Sequence, residues 1–131
     1  MAARVVHFDI SADDAARAAK FYQDVFGWKI EKYGGDVPME YWMVVTGPDS
    51  EPGINGGMHK RQGPASAGDE PVAFECTIGV DNVDAYAKKI EPAGGKILMA
   101  KMGLKGVGWF VHALDTEGNH FSLMQPDPSA A

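Results

Sequence analysis

Alternation of apolar and polar positions opens the chain. In Val5-Val6-His7-Phe8-Asp9-Ile10, Val6, Phe8 and Ile10 share one face while Val5, His7 and Asp9 share the other, the period-two mark of a half-buried strand. The period then lengthens. Ser11 followed by Asp14 resembles a capping box, and Ala15, Ala18, Ala19, Tyr22, Val25 and Phe26 recur at helical spacing until Gly27, which predicts a helix over about 13–26. Alternation returns in Trp28 to Tyr33. Gly34-Gly35-Asp36 predicts a turn, Tyr41-Trp42-Met43-Val44-Val45 predicts an aromatic, β-branched strand, and a short segment follows that ends near Gly56-Gly57-Met58.

The stretch from Arg61 to Pro71 holds Gly, Pro, Ser and Ala without apolar periodicity and reads as a linker. Beyond it the order repeats. Phe74, Cys76 and Ile78 alternate with Ala73, Glu75 and Thr77; Val83, Tyr86, Ala87 and Ile90 predict a helix closed by Gly94-Gly95; Lys96 to Ala100 and Trp109 to Leu114 predict strands. The glycine-rich segment 102–108 is expected to be a mobile loop, Asp115 to Asn119 a turn rather than a calcium loop, and His120 to Met124 the last strand. Sliding the first half onto the second by about 68 positions puts Val6 on Phe74, His7 on Glu75, Asp13 on Asp81, Gly27 on Gly95 and Tyr41-Trp42 on Trp109-Phe110. The fold class that follows is α+β: two repeated β-α-β-β-β modules forming a cupped mixed sheet around a cleft, with the helices outside. Residues 1–131 form one domain, with module one over about 4–60, a linker over 61–71 and module two over about 72–126.

Composition narrows the class. The chain has 131 residues, enough for one core without staples, and its 45% hydrophobic and 23% charged content is ordinary for a globular protein. No apolar run approaches a membrane span, and a net charge of −6 with dispersed Lys and Arg gives no footprint for a phosphate backbone. Neither a membrane nor nucleic acid is an expected partner. A single cysteine and the lack of an apolar stretch after Met1-Ala2-Ala3-Arg4 point to a reducing cytoplasm. Cys76 shares the apolar parity of Phe74 and Ile78, so burial is expected, which conflicts with a nucleophile's role. No Ser-His-Asp constellation or phosphate-cradling glycine motif stands out, so no nucleotide cofactor is expected.

His7 and Ile10 before Asp14, Phe21-Tyr22 leading to Phe26-Gly27-Trp28, Gly94-Gly95-Lys96 and Asp115-Thr116-Glu117-Gly118-Asn119 together resemble the vicinal oxygen chelate superfamily. That superfamily holds glyoxalase I, bleomycin-resistance proteins, fosfomycin-resistance enzymes and extradiol dioxygenases. Pro52 to Met58 and Gly106 to Phe110 are similar to bacterial proteins described as related to lactoylglutathione lyase. The resemblance implies one divalent metal, zinc, nickel, iron or manganese, held by a first-strand and a last-strand residue of each module. First-strand positions fall on His7 and Glu75, both sound ligand types. Last-strand positions fall on Ser122 and near Gly56, which leaves half of the ligand set missing, with His59 and His112 as further histidines nearby in sequence.

Two functions are therefore open. One is a glyoxalase- or bleomycin-resistance-like protein with a small-molecule cleft and an incomplete metal site. The other is a metal-dependent lyase, isomerase or dioxygenase that acts on a vicinal-oxygen substrate through an enediolate-type intermediate. Trp42, Met58, Trp109 and Ser122 are the expected cleft residues, because pockets are mostly apolar with a few polar groups. A homodimer is expected, since family modules pair within or between chains.

Overall fold

The computed structural model describes residues 2–35, 40–61 and 74–130. Its elements are β1 (Arg4–Ala12), α1 (Ala15–Phe26), β2 (Lys29–Lys32), β3 (Tyr41–Val45), β4 (Gly56–Lys60), β5 (Phe74–Gly79), α2 (Val83–Ile90), β6 (Lys96–Leu104), β7 (Gly108–Leu114) and β8 (His120–Pro126). Among the described residues, two helices and eight strands, mixed parallel and antiparallel, make an α+β fold. The chain divides into two compact units, one of His7–Phe74 and one of Met1–Val6 with Glu75–Ala131. Most of the linker expected over 61–71 and the end of the Gly34-Gly35-Asp36 turn lie outside the described residues.

Each unit repeats one topology. In the first, the strands run in the order β2-β3-β4-β1, with β1 parallel to β4 and the other pairs antiparallel. In the second the order is β6-β7-β8-β5, with β5 parallel to β8 and the rest antiparallel. A parallel pair between first and last strands needs a long crossover, and here that crossover carries the helix and two strands.

Helices form where the sequence supplies a cap and an apolar stripe. The Asp14 side chain accepts the Arg17 N–H and Asn82 accepts the Ala85 N–H, so each first turn gains a partner for an otherwise orphaned donor. Gly27 ends α1 at φ 73, in the left-handed region. The expected cap differs by three residues: Ser11 is still in β1, and Asp14 is the capping residue. Under α1, Phe8, Ile10, Ala15, Ala19, Ile30, Val44 and Met58 make the first core; Val80, Val83, Val111 and Leu123 make the second under α2. Burial of each Val, Leu, Ile, Phe or Met among these is worth roughly 1.5–3 kcal/mol.

Two expectations fail here. The 102–108 segment is strand β6 up to Leu104 followed by a tight turn, with Gly106 at φ 75 and Val107 N–H bonded to the Leu104 carbonyl. Its glycines serve the turn and a close approach: a Cβ on Gly108 would strike the Gln125 carbonyl. Cys76 is exposed, not buried, and Phe74 beside it is exposed too. Phe74 instead packs at the surface, stacked 5.8 Å from Phe8 and edge-on to Tyr22. The strand parity is right, but that face of β5 is incompletely covered at its start.

Candidate functional site

Strand alternation sends Phe8 and Ile10 into the first core and leaves His7, Asp9 and Ser11 on the opposite face of β1. Register then decides what they meet. β4 sets Gly57 beside Asp9 and His59 beside Ser11, and β3 sets Tyr41 beside His59 and Met43 beside Gly57. The Tyr41 hydroxyl donates to Asp9 Oδ1 at 2.9 Å and lies 3.1 Å from His7 Nε2, while Ser11 Oγ lies 3.3 Å from His59 Nε2. Gly57 is what admits this arrangement. A Cβ built on it would overlap the Tyr41 ring and hydroxyl, so the phenol occupies the space a side chain at 57 would need.

Burial would push the Asp9 carboxyl up, but the His7 hydrogen bond and charge, the Tyr41 hydroxyl and the more distant charge of His59 outweigh it and hold the group below the usual carboxylate range. Burial first, then the charge and hydrogen bond of Asp9, push the Tyr41 phenol well up, so it stays a neutral donor. Ionised Asp9 and neutral Tyr41 are thus one self-consistent pair.

The second unit builds a different cluster at the corresponding places. Thr77 pairs with Ser122 as Asp9 pairs with Gly57, so Ser122 and Gly57 are the matching last-strand positions. Ser122 Oγ donates to Glu75 Oε1 at 2.6 Å and lies 2.8 Å from His112 Nδ1, which is itself 3.2 Å from Glu75 Oε1. Glu75 and Ser122 are only 5% and 3% exposed. Serine and carboxylate share one ring nitrogen, so this is no nucleophilic triad, in which each occupies its own.

These pairings adjust the sequence expectations. The last-strand position of the first unit is Gly57 rather than Gly56, whose Cβ would strike the Phe8 carbonyl. The Tyr41-Trp42 pair does not fall on Trp109-Phe110: Trp42 pairs with Met58 as Val111 pairs with Leu123, because loops of unequal length break a constant shift. Trp42, Met58 and Trp109 all belong to the helix side. Met58 is fully buried in the first core, Trp42 packs against that core, and Trp109 packs against the second with its Nε1 donating to Asp127. Packing claims their surfaces, away from the polar face, whereas Ser122 lies on it. Asp9 and the Tyr41 hydroxyl were missed as site residues. Asp9 was signalled by its shared parity with His7; Tyr41 depended on register.

The divalent metal implied by the family resemblance does not fit this donor set. His7 turns Nε2 to Tyr41, Glu75 Oε1 receives Ser122 and sits against His112, Gly57 offers nothing, and Ser122 is a hydroxyl. Among the described residues, no three His, Cys, Asp or Glu side chains gather as a ligand set. A separate groove of about 470 Å³ in the first unit, lined by Asp13, Asp14, Arg17 and Arg61 beside Phe21 and Tyr22, lies at the start of α1 and does not include His7.

Residues 4–127 match the model of the glyoxalase/bleomycin resistance protein/dioxygenase superfamily. The chain belongs to that superfamily. It is 33% identical over 119 residues to a glyoxylase-like domain-containing protein of Didymella fabae, covering 88% of each. It is 27% identical over 124 residues to the anthracycline biosynthesis protein DnrV of Streptomyces peucetius, covering 88% of this chain and 44% of that one, so it spans less than half of that relative. Among solved structures, methylmalonyl-CoA epimerase from Mycobacterium tuberculosis matches with a TM-score of 0.66 at 14% identity, over 95% of this chain and 89% of that one. A methylmalonyl-CoA epimerase in complex with methylmalonyl-CoA and NH4+ matches at 0.67 and 15%, over 100% and 99%. At such identities the likeness is one of fold. Among the described residues of this superfamily member, no helix is long and apolar enough to cross a membrane.

Proposed function

We propose that this superfamily member binds a small organic molecule on the polar faces of its two units without a resident metal. One observation carries this reading: in both units the first-strand and last-strand positions are spent on hydrogen bonds within the unit or hold no ligand atom, as with His7 on Tyr41, Glu75 on Ser122 and His112, and glycine at 57. Half-exposed histidines beside buried acceptors are groups that orient a ligand. The anthracycline biosynthesis relatives and the methylmalonyl-CoA complex support an organic ligand of aromatic or acyl character. In this reading the chain works as one domain and as a cytoplasmic homodimer, a mass that light scattering at micromolar concentration measures.

Metal analysis of untagged protein, paired with a thermal-shift screen of small organic molecules, tests the proposal. Metal well below one equivalent, with ligand-induced stabilisation that survives EDTA, is the expected result. One equivalent of zinc, nickel, iron or manganese that is lost in His7→Ala overturns it and favours the metal-dependent lyase, isomerase or dioxygenase reading.

A further inference from the structure

We infer that the exposed aromatic face of α1 is where two copies of this chain meet, the helix of one copy lying antiparallel on that of the other about a two-fold axis. The inference rests on the homodimer reading above and names the surface that forms it.

A helix lying on a sheet ordinarily buries its large apolar side chains and turns its small or polar ones to water. α1 does the reverse. Its buried residues are Ala15 and Ala19, while Phe21, Val25 and Phe26 are each more than half exposed, as is Phe74 at the start of β5. Ring contacts join these side chains into one patch: Tyr22 lies 5.2 Å from Phe21, 6.3 Å from Phe26 and 6.5 Å from Phe74, and stacks 5.1 Å from Trp28. The other unit supplies the control. Counting equal steps from the capping residues Asp14 and Asn82, Phe21 of α1 corresponds to Lys89 of α2, whose ammonium sits 5.0 Å over the Tyr86 ring. α1 also has 12 residues against 8 in α2, and the added turn brings Val25 and Phe26. None of α2's large apolar side chains is exposed in this way. The shared topology does not demand an aromatic outer face; α1 alone carries one.

A second copy is the occupant this face fits, because pairing about a two-fold axis needs a surface complementary to itself. Charge and shape agree on one register. Along one flank Lys20 and Asp24 stand a turn apart, bonded to each other at 2.6 Å and both largely exposed, so an antiparallel copy sets each Lys20 against Asp24 of the other. That register also sets Phe26 of one copy against Ala18 of the other, since both pairs are centred on Tyr22. Ala18 lines the groove of about 470 Å³ at the start of α1, beside Phe21 and Tyr22, which has room for a ring. Projecting ring and receiving groove both belong to the first unit. The four exposed side chains offer roughly 300–400 Å² of apolar surface. Half-buried Tyr22 and Trp28 extend that toward about 500 Å², the apolar share of a standard interface of about 800 Å² a side.

Sedimentation equilibrium of the full-length chain reads the association directly. Wild type should be dimeric at micromolar concentration. Phe21→Glu and Phe26→Glu should each weaken the dimer by about a hundredfold or more, with far-ultraviolet circular dichroism unchanged because both side chains already lie largely outside the fold. Lys89→Glu, at the place in α2 that matches Phe21, should leave the association as it was. Lys20→Glu, wholly on the surface, sets like charges opposite one another and should weaken the dimer several-fold; adding Asp24→Lys should restore it. A wild-type monomer would overturn this inference and the homodimer reading together. A dimer indifferent to both phenylalanine changes, or weakened as much by Lys89→Glu, would overturn the inference alone and leave the homodimer reading standing. A charge-swapped double variant that stays as weak as Lys20→Glu would overturn the antiparallel register.

Discussion

A methyl group added at Gly57 would need the space that Tyr41 fills, so Gly57→Ala must push the phenol off His7 and Asp9. Overpacking of this kind costs about 1–3 kcal/mol, which urea unfolding measures. In a Tyr41→Ala background the same change should cost little, and the double-mutant cycle gives the coupling. Asp9 adds a pH signature. Its folded carboxyl is held below the ordinary 3.8, so its stabilisation is present above that value and is lost as pH falls through the folded one. Asp9→Asn should therefore be less stable than wild type at neutral pH by about 1–2 kcal/mol, with the gap closing below about pH 4. His7 and Glu75 were legible as residues of the strand faces away from the helices because parity is local. Their partners were not, because Tyr41, His112 and Ser122 come from strands whose register no local pattern records.

Among the elements, the helices were the most legible and their ends the least. A 3.6-residue stripe is visible over many residues, whereas Ser11 and Asp14 both look like caps until the strand claims Ser11. Asn82→Ala should lower stability by about 1 kcal/mol through the lost bond to the Ala85 N–H, read from the shift in thermal midpoint. β6 was shortened in the sequence reading because Gly103, Gly106 and Gly108 suggested a loop. Pairing with β7 overrides that propensity: Gly103 lies opposite Trp109 and Leu104 opposite Gly108, with register shifts between Ile97 and Met102 that let the strand bend.

On the scale of the molecule, two units of one topology carry separate cores of apolar side chains, and the metal-free reading proposed above predicts that neither needs an ion. EDTA dialysis should leave the thermal midpoint unchanged, since removing a ligand destabilises a fold only when the native state binds it. A clear drop that zinc or nickel restores would contradict this. Leu123→Ala, in the second core, should cost about 2–5 kcal/mol in a urea titration, and a smaller loss would mean that the site collapses to fill the cavity.

By itself the sequence determined the doubled β-α-β-β-β order, the α+β class, the helix-facing positions and the placing of His7 and Glu75 on the strand faces away from the helices, because period and caps are written in consecutive residues. The tertiary structure decided the chemistry. What a strand histidine meets depends on what the neighbouring strands set against it, and that is fixed by register and by the absent side chain of Gly57.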